Sequence, residues 1–274
     1  MLFTGVMKQF MPKSCDHNAP SVVAIQNVTK RFYYSEHRAK SLRGWFIRSV
    51  LRKSIDNPQP GFVLQNFNLE IKQGEVVALV GLNGCGKSTV LRLIAGIYHP
   101  SSGTVTVNGR VAAIIELGAG FHSELTGAEN AAIYASVLGL SHQQLARHYE
   151  DIIEFSGIGG FFDTPIKYYS SGMETRLAFA VAMCVEPDII LLDEVLAVSD
   201  QMFRERCFNR LREFRAKGGT MIVVSHDWDQ VSQLCSRAVW LDGGTVRMDS
   251  DVNTVMAAYE GAVVHGTFAG AFGV

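Results

Sequence analysis

Apolar residues along this chain follow three different rhythms. Residues 75–80 (EVVALV), 187–194 (PDIILLDE) and 220–224 (TMIVV) are short, near-continuous apolar runs. A strand covered on both faces has no wet side to show, so these runs predict buried strands of a parallel sheet. Residues 21–28 (SVVAIQNV) and 62–71 (FVLQNFNLEI) alternate instead, as strands with one covered face do. Residues 104–108 and 110–115 flank Gly109 and read as a hairpin; residues 238–241 and 245–248 flank Gly243 and Gly244 and read as a second one. The two kinds of strand together predict a small antiparallel sheet beside a parallel core.

The third rhythm is helical. It starts at Thr89 and runs to residue 97, and it returns over 125–145, 143–156, 174–185, 201–217 and 252–259. Thr126 and Gly127 form a cap signal, with Glu129 in the first turn. Residues 157–167, rich in glycine and phenylalanine, read as a loop. Between the first two strands an insert covers residues 34–60. There Leu42, Trp45, Phe46 and Val50 fall at helical spacing, while Lys40, Arg43, Arg48, Arg52 and Lys53 take the other positions. Such a basic amphipathic helix can lie on an anionic membrane surface or a partner helix, or it packs on its own domain with its charges solvated.

One polar stretch changes the picture. Gly81-Leu82-Asn83-Gly84-Cys85-Gly86-Lys87-Ser88-Thr89 sits between the first buried strand and a helix. The spacing glycine, any four, glycine, lysine, serine or threonine, in that context, predicts a phosphate-binding loop. Glycines let backbone N–H groups approach phosphate oxygens with no Cβ in the way, and the helix start adds partial positive charge. Gly81, Asn83, Gly84, Cys85, Gly86, Lys87, Ser88 and Thr89 are therefore the expected nucleotide-binding set. Lys87 is expected to reach the β- and γ-phosphates, and the Ser88 hydroxyl to ligate Mg²⁺. The alternative is a glycine-rich turn that binds nothing.

Composition narrows the class. The chain has 274 residues and is 47% hydrophobic, enough for a sizeable core. Lys plus Arg number 25 against 26 Asp plus Glu, so nothing global points to nucleic acid. Cys15, Cys85, Cys184, Cys207 and Cys235 show no metal-type pairing and read as reduced thiols in a cytosolic protein. No uninterrupted apolar run reaches the roughly 18 residues needed to span a bilayer. Residues 1–20 are expected to be a disordered lead-in, with Met7 or Met11 as alternative starts, and residues 262–274 a flexible tail.

The second buried run ends in Asp193-Glu194 and the third in Ser225-His226-Asp227. After a phosphate loop, Asp193 is the expected Mg²⁺ carboxylate and Glu194 the general base for the attacking water; the bland reading makes Glu194 a strand-end cap. His226 leaves a core strand where open α/β sheets bind ligands, and it is assigned to the γ-phosphate and the attacking water.

The order of the phosphate loop, Ser170-Ser171-Gly172-Met173, Ile190-Leu191-Leu192-Asp193-Glu194, Val198-Ser199-Asp200 and Ser225-His226-Asp227 resembles an ABC-transporter ATPase over roughly residues 22–261. The resemblance implies an α/β fold: a P-loop NTPase core with a mostly parallel sheet, an antiparallel β-subdomain and a helical subdomain, the last at about 125–173 of an ATPase domain at 21–261. It also implies ATP and Mg²⁺ as ligands. Ser170 and Gly172 match the signature that faces the γ-phosphate of ATP held by the opposite subunit, so the working unit is a head-to-tail homodimer around two ATP molecules. Asp200 matches the loop that crosses the interface, and Phe32 or Tyr33 matches the aromatic residue that stacks on adenine. The stretches 117–127, 169–173, 193–198 and 234–241, and the insert near Trp45, resemble exporters of O-antigen, capsule and teichoic-acid polysaccharides. Separate membrane permease subunits are then the partners, and the location is peripheral, at the cytoplasmic face of the plasma membrane.

Several positions depart from the general family pattern. Glu116 or Leu117 stands where the loop glutamine is usual. Ser171 replaces the first signature glycine, Met173 its glutamine, and Val195 the proline after Glu194; the polysaccharide-exporter pattern shares most of these. Other transporter ATPases, a soluble ABC ATPase acting on DNA or ribosomes, and a non-hydrolysing interaction subunit are the rival classes. Cys85, beside a helix start, is expected to have a lowered pKa and to block ATPase activity when alkylated; the alternative is an inert spacer.

Overall fold

The computed structural model describes residues 19–34, 59–115, 118, 120–193 and 200–266. The expectations for the lead-in, the insert helix around Trp45, Glu116 and Leu117, Glu194 and the segment up to Ser199, and the tail past residue 266 lie outside the described residues.

The alternating runs form the small sheet. β1 (Ser21–Tyr34) pairs antiparallel with β2 (Gln59–Lys72) and with β4 (Ser102–Val107), in the order β2-β1-β4. Two asparagines, Asn27 and Asn66, take positive φ of 52° and 44° near shifts in the β1–β2 register. Asparagine tolerates that left-handed backbone better than β-branched residues do.

The continuous runs form the main sheet. Its strands are β3 (Val76–Val80), β5 (Val111–Ile114), β6 (Ile189–Asp193), β7 (Thr220–Val224), β8 (Arg237–Asp242) and β9 (Thr245–Asp251), in the order β5-β6-β7-β3-β8-β9. All neighbours run parallel except β9, which closes one edge antiparallel to β8. Both faces are buried. Val77, Leu79, Leu191, Ile222 and Val239 pack toward the small sheet and toward α1 (Lys87–Ile94). Ala78, Val80, Ile190, Val223 and Trp240 pack on the other side, with side chains of α5 (Ser171–Cys184), α6 (Gln201–Ala216), α7 (Trp228–Leu234) and α8 (Val252–His265). This double cover is why the strands carry no polar alternation.

A separate helical cluster gathers α2 (Gly127–Val137), α3 (His142–Ala146), α4 (Tyr149–Ser156) and the first part of α5 around Ala131, Leu145, Ile152, Phe162 and Leu177.

Three sequence expectations are corrected. Residues 104–115 are not a hairpin: β4 joins β1 in the small sheet, while β5 pairs parallel with β6 in the main one. The Asp188 carboxylate takes the Arg110 N–H at 2.7 Å and steers the chain away from β4. The helices expected over 125–145 and 143–156 are three. The first stops at Leu138, Gly139 follows at φ 90°, and Ser141 with Gln144 caps the next. The signature helix begins at Ser171, three residues before the apolar rhythm does.

Candidate active site

The site is built where three neighbouring strands end. Leu79 of β3, Val224 of β7 and Asp193 of β6 lie in one row of the sheet. One or two residues later the chain enters the phosphate loop from β3 and the Ser225-His226-Asp227 turn from β7. Ligands in open α/β sheets sit beyond such carboxyl ends.

The loop itself is shaped by glycine. Gly81 has φ 145°, and a Cβ there would run into the Leu241 carbonyl and lie 2.8 Å from the Cys85 Sγ. Gly86, at φ 112°, occupies the N-cap of α1 and offers no side chain to the helix start. A Cβ on it would meet Leu64 at 2.8 Å. The first N–H groups of α1 are thus left for an external acceptor, because a helix start has no internal partner for them. Lys87 is 6% exposed, and its ammonium donates to the Gly81 and Leu82 carbonyls at 2.8 and 3.0 Å. Ser88 is half-buried beside it, while Asn83 and Gly84 are exposed on the rim.

A groove of about 450 Å³ runs over this loop, lined by Asn83, Gly84, Lys87 and Ser88 at one end and by Phe32, Arg92 and Tyr98 at the other. That volume suits a small ligand. Phe32 and Tyr98 meet edge to face at 5.3 Å, and the Lys30 ammonium lies 5.0 and 5.2 Å from their centroids. Of the two aromatic candidates, Phe32 lines the groove; the side chain of Tyr33 is outside what is described. Tyr98 was missed in the sequence, since nothing in the residues around it says that it returns to a strand 66 positions earlier.

Asp193 ends β6 half-buried. His226 is exposed on its turn, which Asp227 anchors by capping α7: its carboxylate accepts from the Asp229 and Gln230 N–H groups at 3.0 and 3.2 Å. Ser170 caps α5, accepting from the Met173 N–H at 3.2 Å, and it stands exposed with Gly172 behind it. Neither residue lines the groove of its own chain. Asp200 caps α6, and its carboxylate lies 3.8 Å from Arg176 of α5. A larger cavity of about 580 Å³ opens among Gly109, Asp188, Lys217 and Thr220, at the opposite ends of the strands, where this fold does not gather catalytic loops.

A family model described as ABC transporter matches residues 64–197. The chain is 40% identical, over 88% of its length and 98% of the relative's, to the O-antigen export system ATP-binding protein RfbB of Klebsiella pneumoniae. The chain belongs to the ABC-transporter ATPases. It is also 39% identical to the teichoic acids export ATP-binding protein TagH of Bacillus cereus, over 86% of this chain and 42% of that longer relative. Among solved structures, a dimeric ATP-binding cassette in a post-hydrolysis state bound to ADP and Pi shares the fold with a TM-score of 0.67 at 22% identity, covering 84% of this chain and 98% of that one.

One expectation for this ABC ATPase is overturned. The Cys85 thiol is not lowered in pKa. Burial pushes it up, and this outweighs the lowering by Lys87. Its Sγ sits in the core beneath Gly81, with only 6% of the residue exposed.

Proposed function

We propose that this chain is the ATP-hydrolysing subunit that drives export of a polysaccharide or lipid-linked glycan through a separate membrane permease, working as a homodimer at the cytoplasmic face of the plasma membrane. One observation carries the reading. The phosphate loop, Asp193 and the His226 turn leave the same end of three adjacent strands, in a chain aligned over 98% of an O-antigen export ATP-binding protein. Among the described residues no helix is long and apolar enough to cross a membrane.

In this reading the adenine lies against Phe32, and the triphosphate runs along the groove to the start of α1. Gly81 to Thr89 supply backbone N–H groups, and Lys87 exchanges its carbonyl partners for the β- and γ-phosphates. Ser88 and Asp193 offer a hydroxyl and a carboxylate, oxygen donors that suit Mg²⁺. These two side chains would hold the ion beside the phosphates. Bound there, the ion neutralises phosphate charge. Glu194 accepts the proton of the attacking water, with His226 on the γ-phosphate. Ser170 and Gly172 of a second copy close over that phosphate, in keeping with their absence from the lining of their own groove. Closure depends on tighter ATP binding by the closed pair, and loss of the γ-phosphate reopens it.

Glu194→Gln tests the reading. It is expected to bind ATP, to hydrolyse it about 10²–10⁴-fold more slowly, and to accumulate as a closed dimer in size-exclusion chromatography. Full turnover by this variant would remove Glu194 as the base. Co-purification of the tagged chain with its membrane partner, and glycan at the cell surface only when Glu194 is intact, test the export half.

A further inference from the structure

His226 reaches the site on a short turn, and the residue that seats this turn comes from the far end of the chain. Trp228, two positions after His226, is the first residue of α7. Its ring meets Tyr259 of α8 at 5.7 Å between centroids and 61° between planes. The same Tyr259 ring meets Trp240 of β8 at 5.3 Å and 72°. Trp240 pairs in register with Val80, the last residue before Gly81 of the phosphate loop. One tyrosine therefore stands between the His226 turn and the root of the phosphate loop.

The two contacts differ in how firmly their tryptophans are held. Trp240 is buried, the Arg247 guanidinium lies 4.3 Å over its ring, and Asp242 grips Arg247 at 2.8 Å. Trp228 is only half-buried at the start of a seven-residue helix. The helix that carries Tyr259 is firmly seated. Val252, Val255 and Ala262 of α8 are buried, and Asp251 caps it by accepting from Thr254. Burial raises the Tyr259 hydroxyl pKa, with Cys85 of the phosphate loop and Asp242 acting in the same direction. That hydroxyl is thus within electrostatic reach of the loop.

We infer that Tyr259 is a positioning residue for the ATPase reaction: it bridges Trp228 and Trp240 edge to face and so fixes the His226 turn relative to the phosphate loop. Edge-to-face packing is directional, so the bridge sets an orientation as well as a distance. The inference rests on the ATPase reading above, because His226 must act on the bound phosphate for its placement to matter.

The test uses the full chain, with the wild type assayed alongside. Tyr259→Leu keeps an apolar side chain but loses the ring; it is expected to lower kcat about tenfold, with the KM for ATP within about twofold of wild type, because a small misplacement of a reacting group acts on turnover. Tyr259→Phe is expected to restore most of the turnover. Val255→Ala, buried on the same helix but outside the aromatic stack, is expected to lower the melting temperature and leave kcat near wild type. Trp228→Leu removes the other side of the contact and is expected to match Tyr259→Leu, with the double variant no worse than either single.

Wild-type kcat in Tyr259→Leu overturns the inference. So do additive losses in the double variant, a rise in KM alone, or losses in all variants that simply follow their melting temperatures. A wild type that turns over no ATP defeats the ATPase reading and this inference together. An active wild type with an equally active Tyr259→Leu defeats the inference alone.

Discussion

Lys87 is a buried cation resting on two carbonyls of its own loop. Those carbonyls hold the ammonium where an incoming phosphate would take it over, and a charge-assisted contact outweighs a neutral one. Lys87→Ala is expected to weaken ATP binding by at least about tenfold, since each such contact contributes about 1.5–3 kcal/mol; isothermal titration of the variant measures it, and unchanged affinity would contradict the placement of the loop. Cys85 leads to the opposite of the sequence expectation. A thiol with a raised pKa, pointing into the core, is a poor nucleophile. Iodoacetamide at pH 7 is expected to leave Cys85 unmodified in the folded chain with or without ATP, as read by peptide mass mapping; rapid, ATP-protected labelling would refute this. At this scale the sequence was legible where spacing alone defines the chemistry, as from Gly81 to Thr89. It was illegible where direction decides, because no neighbour of Cys85 reveals that its Sγ lies in the core beneath Gly81 and not in the groove.

The helix α2 shows what a cap contributes. Thr126 accepts the Glu129 N–H, and the Glu129 carboxylate accepts the Thr126 N–H at 2.8 Å. This reciprocal pair was readable as Thr126, Gly127 and Glu129. Thr126→Ala is expected to cost about 1 kcal/mol, or about 2–4 °C in melting temperature. The Thr126 amide and hydroxyl hold the Glu129 carboxyl below its usual 4.5. The folded state therefore favours the carboxylate, and the contribution is complete above the ordinary carboxylate range and lost as pH falls through the lowered value. Thermal melts from pH 7 into acid are expected to show the gap between wild type and Thr126→Ala shrinking; a gap that stays constant would exclude Glu129 as its source. Other elements were harder to read, for a reason of range. Gly109 with its flanking strands looks like a hairpin locally, and contacts as distant as Asp188, 78 residues from Arg110, tie β5 to the other sheet. The seven residues of α7 are too few to show a period, although Asp227 before them was a usable cap signal.

At the scale of the molecule, the residues proposed to handle phosphate are split between two surfaces. The phosphate loop lines its own groove, whereas the exposed Ser170 and the half-buried Gly172 lie outside it. Two copies arranged head to tail would join the halves. Mixing Lys87→Ala chains with Gly172→Asp chains is then expected to recover ATPase activity that neither has alone, because one of the two shared sites in the mixed pair is intact. Phosphate release from the mixture measures it, and continued silence would exclude the shared site. The order of motifs marks the phosphate loop, Asp193 and the His226 turn more clearly than any one motif does, since each falls at the end of a strand.

One further feature bears on how the halves move. The small sheet is latched to the main one. The Gln65 N–H donates to the Gly244 carbonyl at 3.1 Å, and Arg237 on β8 reaches the Glu70 carbonyl, Glu75 and Asp249 at 3.0, 3.0 and 2.7 Å. Phe32 rides on one sheet and Lys87 follows a strand of the other, so the latch ties the proposed base contact to the proposed phosphate contact. Nucleotide uptake by a lone subunit is then expected to leave the heat capacity of the protein nearly unchanged. A large negative change is expected when two copies meet, where fresh apolar area would leave water.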